Sequence, residues 1–185
     1  MGTRPQQTPA TAHGPFPSTD IRYALGESSL GTFLVAQSER GICALLLGED
    51  PQALIRDLHQ RFAQANIEDG GRKLARLVRT VAGLIEAPGT GLELPLDVRG
   101  TVFQQRVWNV LRRIQPGSTL SYTEVARRIG VPKAVRAVAQ ACGANAIAVA
   151  IPCHRVVRND GALSGYRWGI ERKRALLERE AKRSP

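Results

Sequence analysis

No apolar run in this chain approaches the roughly 18–20 residues that a membrane-spanning helix needs. Cysteine is sparse: Cys43, Cys142 and Cys153 stand far apart in 185 residues. An odd, scattered set is no disulfide framework, and no Cys-x-x-Cys pair or Cys/His cluster has zinc-ligand spacing. Such thiols suit a reducing, cytoplasmic compartment, and neither a cofactor nor a metal is expected. The first nineteen residues, rich in Pro, Thr and Gly, lack the apolar stretch of a secretory signal. They read as a disordered tail outside the fold. Acidic residues are scarce in one half only. Up to Val98, 9 Lys and Arg face 11 Asp and Glu; from Arg99 onward, 17 face 5. The halves therefore carry −2 and +12 of a net charge of +10. A polyanion such as nucleic acid is the natural partner for the second half, although a basic face could also be merely solvated.

The pattern along the chain divides it near the same point. Ile21–Leu25, Gly31–Gln37 and Ile42–Leu47 read as strands, with Ser38-Glu39-Arg40-Gly41 a hairpin loop. Leu54, Leu58 and Phe62 mark one helix; Leu74, Leu77, Val78, Val81 and Leu84–Ile85 mark another. Alternating Leu92, Leu94 and Leu96 suggest a short strand. Residues 20–98 thus form a small α/β domain with a mainly antiparallel sheet, and 99–185 a largely helical one. In the second domain, Thr101 with Gln104 and Ser121 with Glu124 have capping-box spacing, in which each side chain bonds a free amide at the helix start. The second box opens a short helix over Tyr122–Ile129. Gly130-Val131-Pro132 turns the chain into another helix, Lys133 to Cys142, closed by Gly143. Two short helices around a glycine turn form a helix-turn-helix pattern or an ordinary helical hairpin. The basic charge favours DNA. Ile147–Ile151 reads as a buried strand stopped by Pro152, and a last amphipathic helix runs from about Ile170 to Ala181.

Cys153 follows that proline, where a rigid element ends. A thiolate, not a thiol, attacks carbon, and half-ionising a thiol of pKa about 8.5 at pH 7 takes roughly 2 kcal/mol. His154 and Arg155 are candidates to supply it. Neighbouring side chains point apart, so His154 would reach Cys153 through a water or a turn. A lone cysteine in an apolar segment is also commonly an inert core residue. Cys43 and Cys142 read that way, and His59 and His13 read as surface groups.

The stretch Ile151-Pro152-Cys153-His154-Arg155-Val156 resembles the active-site signature of the O6-alkylguanine-DNA alkyltransferases. Ser121-Tyr122, Pro132-Lys133-Ala134, Arg136-Ala137-Val138, Asn145, Ser164-Gly165-Tyr166 and Leu176-Leu177-Glu178-Arg179-Glu180 follow in family order and spacing. The resemblance covers about Arg22 to Glu180 and is most like the alkyltransferase half of bacterial adaptive-response proteins. It implies a ribonuclease-H-like first domain and a winged-helix-like helix-turn-helix in the second. It implies DNA repair by a single, stoichiometric transfer of an alkyl group, mainly methyl, from O6-methylguanine and O4-methylthymine to Cys153. Double-stranded DNA would be the partner, no membrane would be involved, and the protein would act as a monomer.

By the same resemblance, Cys153 is the acceptor, His154 its base through a water, and Glu180 the group orienting His154. Asn145 ties the helix-turn-helix to the Cys153 segment, and Tyr122 donates a proton to the leaving guanine. Arg136 enters the space left by the flipped base, while Ala134, Ala137 and Arg155 join it at the DNA. Ser164, Tyr166 and Trp168 line the base pocket. Where some relatives carry glycine, Trp168 is expected to narrow the pocket rim against benzyl-sized groups. The zinc ligands that some relatives carry near the N-terminus have no counterpart here. A lesion sensor of this type carries another residue in place of the cysteine. A helix-turn-helix regulator needs no Pro-Cys-His-Arg segment, and a thiol hydrolase needs no basic face.

Overall fold

The computed structural model describes residues 20–182; the expected tail over 1–19 and His13 lie outside the described residues. β1 (Asp20–Ser28), β2 (Gly31–Ser38) and β3 (Gly41–Gly48) form an antiparallel meander. At the second turn Gly41 adopts φ +136°, and a Cβ there would lie 2.2 Å from the Pro95 oxygen, so only glycine fits. α1 (Pro51–Arg61) starts where the Asp50 carboxylate accepts the Gln52 amide at 2.9 Å, and it covers β2 and β3. α2 (Ala75–Glu86) covers β1.

A fourth strand, β4 (Asn66–Asp69), adds parallel to β1, giving the order β3-β2-β1-β4. Its sequence, Asn-Ile-Glu-Asp, is too short and polar to show alternation, and no strand is expected there. The strand expected over Leu92–Leu96 does not form. Leu96 makes one isolated bridge to Ile42, and Leu94 stays exposed. Pro95, which has no amide hydrogen, offers only its carbonyl to Ile42 (2.9 Å).

The second domain holds α3 (Val102–Leu111), α4 (Tyr122–Arg128), α5 (Val135–Ala144) and α6 (Ile170–Ala181). Two-residue strands β5 (Leu120–Ser121) and β6 (Val156–Val157) pair in parallel. Both expected capping boxes are present, Thr101 with Gln104 and Ser121 with Glu124. Gly130, at φ +75°, turns α4 towards α5. The second helix runs slightly later than its pattern indicated, from Val135 through Gly143 to Ala144. One apolar core runs through both domains. Trp108 of α3 lies within it and donates from Nε1 to the Ala141 carbonyl at 2.9 Å. That carbonyl belongs to the last turn of α5, where helical acceptors have no partner of their own.

Trp108→Phe keeps most of the apolar contact but strands that buried carbonyl. It is expected to cost about 1–3 kcal/mol, read as a lower urea midpoint. An unchanged midpoint would show that α5 does not rely on this bond.

Candidate active site

The segment from Asn145 to Pro152 determines where Cys153 sits. The strand expected over Ile147–Ile151 is not there. Leu45 of β3 bonds to Ala146 and Ala148, making one isolated bridge, and the chain then folds into turns. The cause is the Asn145 side chain, which is fully buried. Its Oδ1 accepts the Ile147 amide at 2.9 Å, and its Nδ2 donates to the Ile151 carbonyl at 2.9 Å. The loop is thereby closed on itself. Val149 takes φ 64°, a conformation that a β-branched residue enters at a cost. The same Nδ2 donates to Cys153 Sγ at 3.3 Å. Asn145, at the end of α5, therefore joins the helix-turn-helix to the thiol.

Cys153–Arg155 form a single 3-10 turn with every side chain buried. From α6, Glu180 enters beneath it, only 1% exposed. His154 Nε2 lies 2.8 Å from Glu180 Oε1. Arg155, expected at the DNA, points inward instead. Its Nε and Nη2 donate to Glu180 at 2.8–3.1 Å, and Nη1 donates to the Ile114 carbonyl at 2.5 Å. A buried carboxylate needs a buried cation, and Arg155 is that cation. Burial alone would raise the Glu180 carboxyl. Hydrogen bonds and charge from His154 and Arg155 outweigh it and hold it at about 2. Burial lowers His154, with Glu180 opposing, so the imidazole rests neutral. His154 Nδ1 is buried without a hydrogen-bond partner among the described residues.

A cavity of about 440 Å³ opens over Cys153, within the usual range for a small-ligand site. Tyr122, Ser164 and Tyr166 line it as expected, together with Ala139, Gly143 and Arg167. Ser164 Oγ donates to the Tyr122 oxygen at 2.9 Å, leaving the phenol its own proton to give elsewhere. Burial raises the Tyr122 pKa, with Ser164 opposing, so that proton is held at neutral pH. The Tyr166 hydroxyl is buried and unpartnered among the described residues.

Trp168 is not at the rim. It is buried behind Tyr166, edge to face at 5.1 Å, because its large apolar surface gains more from the core than from the pocket mouth. The expected narrowing by Trp168 therefore has no structural basis. Arg136 lies exposed on α5, with Ala137 half-buried beside it and Ala134 at the helix start.

Two buried residues at the site were not anticipated. Cys142, expected to be inert core, lines the cavity beside Cys153. Lys173 is fully buried, donating to the Val156 carbonyl at 2.6 Å and the Ser164 carbonyl at 3.3 Å. Lys173, Leu176 and Glu180 fall on one face of α6 by the three- and four-residue spacing. That spacing was the available signal. Cys43 is buried and His59 exposed, as expected.

The thiol itself departs from expectation. Burial pushes Cys153 up to about 11, against opposing help from the Asn145 hydrogen bond and Lys173. At rest it is a thiol, so a base must remove its proton during reaction.

Two outcomes follow from these shifts. Iodoacetamide should modify Cys153 slowly at pH 7, with a rate rising about tenfold per pH unit towards pH 10; a plateau below pH 8 would mean a thiol already ionised at rest. Glu180 sits below its unfolded value of about 4.3, so its stabilisation is full above that pH and fades as pH falls towards about 2. Glu180→Gln should flatten that acid limb of the stability curve. An identical acid limb in the variant would mean that Glu180 does not set it.

Two family models match the chain. The 6-O-methylguanine DNA methyltransferase ribonuclease-like domain matches residues 21–98, and the DNA binding domain of the same family matches 102–182. The bifunctional transcriptional activator/DNA repair enzyme Ada of Escherichia coli is 56% identical over 161 residues, covering 87% of this chain and 46% of that protein. The chain spans about half the length of the first such relatives. The inducible methylated-DNA–protein-cysteine methyltransferase of Bacillus subtilis is 35% identical, covering 82% of this chain and 86% of that protein. Among solved structures, the Mycobacterium tuberculosis methyltransferase in complex with DNA superposes with a TM-score of 0.70 and 38% identity, over 90% of this chain and 95% of that one. The chain that places this buried thiol on an asparagine staple, backed by a His–Glu pair and opening beside a helix-turn-helix, thus belongs to the 6-O-methylguanine-DNA methyltransferase family.

Proposed function

We propose that this protein repairs double-stranded DNA by moving the methyl group of O6-methylguanine, and of O4-methylthymine, onto Cys153 once per molecule. The observation that carries this reading is the buried Cys153 thiol at a nucleobase-sized cavity, with a neutral His154 held by Glu180 next to it. O6 of guanine lies inside the duplex, so the nucleotide must leave the stack, at a few kcal/mol. Arg136, exposed on a helix of mostly small residues, fills the space it leaves.

In the pocket, the Cys153 proton passes through a water to His154 Nδ1, and Glu180 stabilises the imidazolium that results. The thiolate sulfur attacks the methyl carbon in line, and the carbon–O6 bond breaks with its electrons going to guanine. Tyr122 gives its proton to that leaving base, and the proton held on His154 then passes through water to restore the phenol. The products are S-methylcysteine and guanine. No side chain at the site is placed to cleave a thioether, so each molecule acts once. The protein acts as a monomer in the cytoplasm, without a cofactor. Among the described residues, no helix is long and apolar enough to cross a membrane, and no group of three or more metal-ligating side chains occurs.

Intact mass after mixing with a duplex carrying one O6-methylguanine tests this directly. One methylene is expected per molecule and none in Cys153→Ala. No gain, combined with tight lesion binding, would move the assignment to a lesion sensor.

A further inference from the structure

Asp57 lies on α1, in the domain that contributes nothing to the relay, yet its carboxylate binds a residue that lines the pocket. Arg167 Nη2 donates to both its oxygens, at 2.9 and 3.1 Å. Arg167 lines the cavity beside Ser164, Gly165 and Tyr166. One helical turn after Asp57, Arg61 also binds the carboxylate, at 3.1 Å from Nε, while its Nη1 donates to the Ala144 carbonyl at 3.4 Å. A single carboxylate of the first domain thus connects the pocket loop to the end of the helix-turn-helix. The ion pair between Asp57 and Arg167 is half-buried. Nε and Nη1 of Arg167 have no hydrogen bond among the described residues, so its fork still has donors for another anion.

We propose that Asp57 is a positioning residue for repair: it fixes Arg167 at the mouth of the pocket, where the guanidinium receives a backbone phosphate of the nucleotide leaving the duplex. This rests on the transfer reading above. An arginine loose on the surface must be ordered when the DNA arrives, whereas one already held by a carboxylate needs no such ordering. The nucleotide in a duplex brings its phosphates with it, and a free base brings none. Asp57 therefore matters for DNA and not for the chemistry at sulfur.

Single-turnover methyl transfer to Asp57→Asn tests this with two substrates, a duplex carrying O6-methylguanine and the free O6-methylguanine base in excess. Transfer from the duplex should slow by about tenfold, the scale of one charge-assisted hydrogen bond reduced for exposure. Transfer from the free base should stay within about twofold. In an Arg167→Gln background, adding Asp57→Asn should change the duplex rate by less than about twofold, because the pair acts as one unit. An unchanged duplex rate, an equal loss on both substrates, or full additivity of the two substitutions would each overturn the proposal. Wild-type protein run alongside separates the two claims. If it transfers methyl and Asp57→Asn matches it on the duplex, only the role of Asp57 fails. If it transfers none, the transfer reading fails and takes this one with it.

Discussion

The Glu180 carboxylate is the interaction on which the rest of the site depends. It is buried, and a buried charge must be compensated in place or it unfolds what surrounds it. Compensation comes from His154 and Arg155 together, with the Gly117 amide at 3.3 Å on one oxygen. Both partners, the neutral imidazole and the guanidinium, follow Cys153 immediately in the chain. A 3-10 turn with three buried side chains would otherwise have little to hold it, and here it is bolted to the closing helix. Asn145 bolts the other side, through Ile147, Ile151 and the thiol itself. The sulfur is fixed between two buried polar networks anchored on different helices, α5 and α6.

Such fixing has an electrostatic consequence. Desolvation keeps Cys153 protonated, at about 11, and keeps His154 neutral. An exposed thiolate reacts with any passing electrophile, and a protein used up by one reaction loses its function to each such accident. On the proposed single transfer, a buried thiol that stays protonated at rest avoids that. The Asn145 hydrogen bond and the Lys173 charge oppose the rise of the thiol pKa without cancelling it. The arrangement trades resting reactivity for selectivity, which suits the single transfer proposed above.

Much of this could be read from the sequence. The three-strand meander, both capping boxes and the glycine turn between α4 and α5 depend on local chemistry, and local chemistry is what a sequence displays. The losses have physical causes too. Ile147–Ile151 looks like a strand because its apolar side chains are buried, but the Asn145 carboxamide takes its backbone groups and bends it. The resemblance puts Arg155 at the DNA, but its partner, Glu180, is 25 residues away in sequence and draws it inward. The resemblance puts Trp168 at the pocket rim, where some relatives carry glycine, yet its side chain turns into the core. Only the Arg155 miss is a long-range pairing; Asn145 acts within six residues, and Trp168 follows its apolar surface into the core.

The same pairings revise what the charge asymmetry means. A surplus of +12 in the second half suggests one broad basic face. In the fold, Arg155 neutralises Glu180, and Lys173 is buried on backbone carbonyls. Arg167 is held by Asp57, Arg172 binds Glu49 and the Leu30 carbonyl, and Arg179 binds the Ile85 carbonyl and pairs with Glu86. The last three cross to the first domain, whose slight acidity now has a use: it supplies carboxylates that hold the pocket loop and α6. On α4, α5 and the turn between them the exposed cations are Arg127, Arg128, Lys133 and Arg136, and Arg106, Arg112 and Arg113 are exposed on and just after α3. The basic field is therefore narrower than the count implies, and part of it lies on the helix that borders the pocket, as the proposed DNA contact needs.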